Sequence, residues 1–551
     1  MGDKFDRVGR PRQGSDPLQT QIREMLLAGR IDRRRFLRLG AMFGVPGRML
    51  AAALGIEALP PRAANAAFPL DTLRIGQLIP RTAIEPHAVT EPAGVAQLSV
   101  TGEYLCFNGA DSGLVPVLAE SWSPNADATI WTFKLRAGVK FHDGRQLTAD
   151  DVVATFERLV DPESGSNALT VFSGYLSKGG ARTTDPSTVQ FHLDAAHGLF
   201  PYLVSSDTCN AIILPKDYTG DFESNFNATG PFRLEKFTQR SSATFVRNAD
   251  YWGAKALPAR LEYTFFSGAP ALLAALKAGQ IDVMQRLPAG LSAETANSPD
   301  IDIIAVPSSA HHQVHMRTDS GPFADPRVRR AVALCLDRSA LMAKLIGGRG
   351  RPGNDSPFTP SNPFAGHGPP QRQRDVTEAR RLMDAAGFDS GFDVKLTAEK
   401  SLESPDYARA IQDAVKDIGG RVSVEILEQG AYFAEGVYGK SPWLDSAFGI
   451  TEFEHRGLPH EVLMASLSST GAWNAARYKN PVYDRAVAAF VAASGIDARQ
   501  QAAGEIEQIL LADTPMIFAY FHDALAAVRK GVQGVTFTPF GHLLLAAASA
   551  T

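Results

Sequence analysis

Three histidines crowd the stretch HHQVH: His311, His312 and His315. Imidazole is the commonest metal ligand, so the cluster raises metal binding. An HxxxH pair, however, faces one ion only on a helix, and SSAHHQVHMRT (308–318) reads as a strand. On a strand His311 and His315 share one face and His312 takes the other. The expectation is a structural or organic-ligand role for these histidines, with no metal and no cofactor. GGRGRPG holds Gly348, Gly350 and Gly353 in dinucleotide-fingerprint spacing. It follows a helix instead of a strand and contains Pro352, so its context is wrong. No GxxxxGK[ST] and no GxSxG occurs, which leaves nucleotide hydrolysis and an α/β-hydrolase elbow without support. Cys106, Cys209 and Cys335 are spaced neither for zinc nor as a redox pair. A Cys106–Cys209 disulfide stays open. No nucleophile–base pair is apparent by spacing, and no catalytic residue is expected.

The elements that must position these residues alternate between strand and helix. LRIGQLI (73–79) suits a buried strand. IWTFKLRAG (130–138) alternates through Trp131, Phe133 and Leu135, as a half-buried strand does. LTADDVVATFERLV (147–160) opens with a Thr148 cap and acids in its first turn. PALLAALKAGQIDVM (270–284) reads as helix, Gly279 stop and strand. DVKLTA (393–398), PDYARAIQDAVKDIGG (405–420) and RVSVEIL (421–427) form strand, helix, strand. That order is a βαβ unit and predicts an α/β lobe with parallel pairing. Residues 350–374, rich in Pro and Gly, read as a long loop.

The 551 residues are 44% hydrophobic and 21% charged, with a formal net charge of −4, the balance of a soluble globular chain. The charge is uneven. Residues 1–66 carry 12 Lys+Arg and 6 Asp+Glu, which leaves a net −10 on the remainder. So acidic a body is a poor partner for nucleic acid. Arg33, Arg34, Phe36 and Leu37 resemble the twin-arginine export signal, with Asp32 before the pair and Arg38 in place of the usual lysine. The segment that follows is long enough to span a bilayer. It is interrupted by Pro46, Arg48 and several glycines, as in a removable signal. Ala64-Asn65-Ala66 offers a small-x-small cleavage site. The expectation is removal of 1–66 and periplasmic localisation, after passage through the twin-arginine translocase in folded form.

Seven blocks in order resemble the family 5 solute-binding proteins of ATP-driven (ABC) importers, the peptide, opine, sugar and nickel binders. They are LVPVLAESWSPNADATIWTFKLRAGVKFHDGRQLTADDVVATFERL (114–159), ATGPFRLEKF (228–237), RNADYWG (247–253), LLAALKAGQIDV (272–283), FADPRVRRAVALCLDRSALMAKLIGG (323–348), WNAARYKNPVYDRAV (473–487) and IEQILLADTPMIFAYF (506–521). The resemblance implies an α/β, periplasmic-binding-protein type II-like fold of two lobes around a hinge, with an extra subdomain in the first lobe. On that plan 67–108, 220–313 and 522–551 form the core of lobe I, 109–219 its extra subdomain, and 314–521 lobe II. It also implies a monomer that captures a small-molecule solute by hinge closure and passes it to a membrane permease. A metal- or heme-binding or sensory module on the same fold is the alternative, with a hydrolase further behind.

In the family's peptide binders a loop reading Gly-Trp-x-x-Asp holds the ligand's amino group. The matching stretch here is FGITEFEHRGLP (448–459), with Gly449 in place, Ile450 for the tryptophan and Phe453 for the aspartate. Glu452 or Glu454 is then expected to supply the charge, although a strand points both away from the face of Phe453. His455 and Arg456 suit an anionic ligand instead. Trp443, Phe453, Tyr520 and Phe521 are expected stacking walls, and His311 and His312 further ligand contacts.

Overall fold

In the computed structural model, residues 71–550 are described, apart from 81–82, 110–112, 221, 361, 363, 366–367, 402 and 494–495. The export segment, with Arg33, Arg34, Phe36 and Leu37, lies outside the described residues.

Apolar alternation makes the strands. Leu73 and Ile75 are fully buried in β1 (Thr72–Leu78). The first lobe adds β2 (Phe232–Thr238), β3 (Ser242–Arg247), β4 (Arg260–Phe266) and β5 (Val283–Met284). A long strand, β6 (Ile301–Met316), and a short one, β7 (Gly350–Pro352), follow. The second lobe supplies β8 (Phe392–Glu399), β9 (Gly420–Leu427) and β10 (Phe448–Phe453). The last, β11 (Met516–Arg529), returns to the first lobe. Among the described residues these form one mixed sheet in the order β9-β8-β10-β6-β11-β5-β1-β4-β3-β2, with β7 against β11. The strand β7 lies where the sequence reads as loop; three residues are too short a run to show periodicity.

β6 and β11 join the lobes. They pair antiparallel from Ile301↔Arg529 to His315↔Met516, with register breaks between Pro307 and His311 and between His311 and Gln313. Such bulges bend a strand and raise its local twist, and here they fall where the strands pass from one lobe to the other.

The βαβ reading of the second lobe is found as expected. β8 and β9 run parallel, joined by the helix Ser404–Ala414, which buries Tyr407, Ala408 and Ile411. The subdomain of the first lobe carries a four-stranded antiparallel sheet, in the order Ala119–Pro124, Ile130–Leu135, Thr188–His192, Ala181–Asp185. Phe133 and Phe156 both meet Phe191 edge-on, at 5.4 and 4.9 Å between centroids. The helix Ala149–Leu159 starts with a capping box, in which the Thr148 N–H donates to Asp151 at 2.9 Å. In ATGPF, a Cβ on Gly230 would fall 2.5 Å from the Thr101 carbonyl oxygen, so only glycine permits that approach.

All three cysteines are free thiols. Cys106 is buried against the Pro201 carbonyl, and Cys209 lies near the Val89 carbonyl. Asp355 anchors the 350–374 segment. Its fully buried carboxylate pairs with Arg338 at 2.9 Å and Arg372 at 2.5 Å. No described helix is long and apolar enough to cross a membrane.

Candidate functional site

A parallel strand delivers its following loop at its carboxyl edge, which is where open α/β sheets bind ligands. Here β1, β5, β8 and β9, from both lobes, open onto one cavity of about 420 Å³. Leu78 ends β1; Gln285–Ala289 follow β5; Glu403 follows β8; Gln429 follows β9. The hinge strands add Ser308, Ala310, His522 and Asp523, and Arg349 stands just before β7. The volume is that of a small-molecule site.

Register decides which expected residues reach this cavity. On β6 and β10, His312 pairs with Glu452 and His311 with Phe453. Cross-strand partners share a face, so the two pairs point oppositely. Glu452 and Glu454 line the cavity. Phe453 turns inward, stacked on His311 at 5.5 Å and near Trp473 at 6.3 Å. Phe521 and Phe518 pack on the same imidazole. Trp443 packs against Phe433 at 5.2 Å. The structure therefore buries Phe453, Phe521 and His311 in the interior, and Trp443, half-buried, also stands outside the cavity lining. Tyr520 is buried beside His312 and Tyr407.

Gly449, where the sequence matches the glycine of the peptide binders, has a local reason to be there. A Cβ would fall 2.3 Å from the His315 ring. That ring is held by donating Nε2–H to the Ser446 carbonyl at 3.1 Å.

The charges of the cavity are unevenly matched. Glu454 reaches Arg286 of the first lobe at 3.1 Å, an ion pair that bridges the lobes. Asp523 pairs with Arg351 at 2.7 Å. Arg456 pairs with Glu461 at 2.9 Å. Glu452 and Glu403 have no ion-pair partner among the described residues, and the Glu403 Oε2 is buried without a hydrogen bond. Burial, reinforced by Glu454 and Glu399, pushes Glu452 up to about 7. Burial also raises Glu403.

His455 lines the cavity with its ring against Phe540. Its Nδ1 accepts the Ser309 N–H at 3.0 Å, so the proton sits on Nε2. Burial, then Arg456, lowers it to about 3. His312 and His522 are also held neutral by burial, and their Nδ1 and Nε2 atoms lie 3.1 Å apart.

Sequence reasoning missed Arg286, Arg349, Glu403, Gln429 and His522. His522 was findable, because it lies two residues beyond Tyr520 on the same strand face. Glu403 and Gln429 carried no signal beyond following a strand.

The description of the bacterial extracellular solute-binding proteins, family 5 (middle region), matches residues 113–450. The chain belongs to that family. Periplasmic murein peptide-binding protein MppA of Escherichia coli (strain K12) is 26% identical over 493 residues, covering 81% of this chain and 89% of the relative. Di/tripeptide-binding protein 2 of Pseudomonas aeruginosa is 25% identical over 464 residues, covering 79% and 86%. The structure of HbpA2 from Haemophilus parasuis matches with a TM-score of 0.77 at 22% identity, over 87% of this chain and all of that one. These likenesses confirm the periplasmic-binding-protein fold of two lobes around a hinge. As a family 5 protein, the chain is a solute-binding component of an ABC importer, and its relatives are binding proteins of the periplasm.

Proposed function

We propose that this family 5 protein captures a small zwitterionic, peptide-like solute in the interlobe cavity and hands it to an ABC permease. The observation that carries the reading is the unmatched charge of the cavity. Glu452 and Glu403 stand on the second-lobe wall without ion-pair partners, and Arg349 lines the same space without one among the described residues. A ligand with an ammonium at one end and a carboxylate at the other satisfies both, through charge-assisted hydrogen bonds that are strong in a sheltered cleft. Glu452 then takes over the charge that the peptide binders place where Phe453 stands. The peptide binding named for MppA and for the Pseudomonas relative supports the class. Closure follows if the ligand contacts both lobes, since differential contact alone shifts the equilibrium.

The test is calorimetric titration of residues 67–551 with di- and tripeptides, free and N-acetylated. Free peptides are expected to bind and acetylated ones to fail. Equal binding of both would remove the amine from the reading.

We further take 67–108, 220–313 and 522–551 as the core of lobe I, 109–219 as its subdomain and 314–521 as lobe II. The protein acts as a monomer, exported by the twin-arginine translocase and cleaved near Ala66. Replacing Arg33 and Arg34 by Lys should leave the precursor in the cytoplasm on fractionation.

A further inference from the structure

At the hinge end of the cavity, three potential ligand atoms converge. His312 comes from β6, His522 from β11, and Glu403 precedes the helix Ser404–Ala414. One atom of each lies within 4.8 Å of the other two. We propose that His312, His522 and Glu403 bind one borderline divalent transition-metal ion, of the zinc, nickel or copper class. The proposal does not rest on the peptide reading.

The simpler alternative is a hydrogen bond between two neutral imidazoles, since His312 Nδ1 and His522 Nε2 are 3.1 Å apart. That bond satisfies one atom on each ring and leaves much else unmet. The Glu403 Oε2, buried beside the two rings, has no hydrogen-bond partner. An unpaired buried polar group costs about 1–3 kcal/mol, so a carboxylate oxygen left unmet next to a histidine pair points to a missing occupant. Ligand atoms about 2.0–2.1 Å from a tetrahedral ion lie roughly 3.3 Å apart. The nitrogen pair is already near that spacing, and a small movement of Glu403 completes it.

The donor set fits the ion class. Two imidazoles and one carboxylate suit zinc, nickel and copper better than calcium or magnesium, which prefer all-oxygen shells. His522 and Glu403 line the cavity, so an ion has a route in, and three protein ligands leave an open position facing the cavity. His311, His312 and His315 cannot share an ion, because His311 and His312 face opposite ways; the second imidazole for His312 comes from the other hinge strand.

The experiment uses tag-free, chelator-treated residues 67–551. Zinc titration by calorimetry is expected to give one saturable site per chain. Electron paramagnetic resonance of the copper(II) form should show coupling to two imidazole nitrogens. His522→Gln and Glu403→Gln should each weaken zinc at least about tenfold, with circular dichroism confirming that the variants fold. The resonance spectrum reads the unmodified protein and decides the case if the variants do not fold. No saturable zinc binding, copper without two-nitrogen coupling, or zinc affinity indifferent to His522→Gln in a folded variant would each overturn the site. Peptide binding in zinc-free protein separates this result from the peptide reading.

Discussion

Replacing Asp355 should cost this protein a large share of its stability. The residue is 1% exposed. It accepts from both Arg338 nitrogens at 2.9–3.2 Å, from Arg372 at 2.5 Å, and from the Phe518 N–H at 3.3 Å. It thereby ties the 350–374 segment and the helix Arg338–Ile346 to hinge strand β11. Asp355→Ala leaves two guanidiniums, on side chains 5% and 7% exposed, without a counter-charge. Removing one partner of a buried pair costs about 3–5 kcal/mol. The backbone adds a second, smaller cost. Asp355 sits at φ 55°, where alanine is strained by about 1–2 kcal/mol. The two together exceed about 4 kcal/mol, against a total of roughly 5–15 for a typical domain. Asp355→Asn separates the contributions, because asparagine tolerates positive φ. It should keep the backbone and lose mainly the charge. Urea denaturation followed by circular dichroism measures both variants. A loss below about 1 kcal/mol in each would refute the reasoning that the two arginines depend on this carboxylate.

Three further outcomes are expected. Glu103 accepts from Tyr251, Trp252 and Thr229, yet burial pushes it up to about 7. The fold thus favours its protonated form, and the stability this contributes is complete below pH 4.5 and lost as pH rises through 7. Across that window the loss is roughly 3 kcal/mol, so the deficit of Glu103→Gln relative to the parent should shrink between pH 5 and pH 8 in urea melts. Gly449→Ala should lower the melting temperature by displacing His315 from the Ser446 carbonyl, at a cost of about 1–3 kcal/mol. The Arg286–Glu454 pair is about half exposed on each side. Arg286→Ala should therefore change stability by less than about 1 kcal/mol, while small-angle scattering reports a larger radius of gyration from more open molecules.

Much of the fold is legible in the sequence because its signals are local. The cap at Thr148, the alternation through Trp131 and Phe133, and the apolar face of 405–418 each need only a dozen residues to be read. The cavity is another matter. Alternation along TEFEH does show that Glu452 and Glu454 oppose Phe453, but not which face is wet. That is decided by the pairing of Phe453 with His311, a contact between residues far apart in the chain. Trp443 and Phe521 read as stacking walls from their type alone, and type favours the interior just as well. The histidine cluster misled for a related reason. The trio adjacent in sequence is divided by the strand, whereas the pair that meets, His312 and His522, sits on neighbouring hinge strands where their register is broken.

The crossing of β6 and β11 has a kinetic consequence. Two strands side by side permit bending about one axis and resist twisting, so closure is close to a rotation. Points on an axis barely move when a body turns, while points on the swinging walls travel furthest. Groups on the hinge strands, such as His522, should therefore shift least on closure and meet an arriving solute ready-made. Groups on the walls, Arg286 and Glu454 among them, meet it only after the swing. Arrival is then governed at the axis and departure at the walls, so substitutions at the two places should separate the rate of capture from the rate of release.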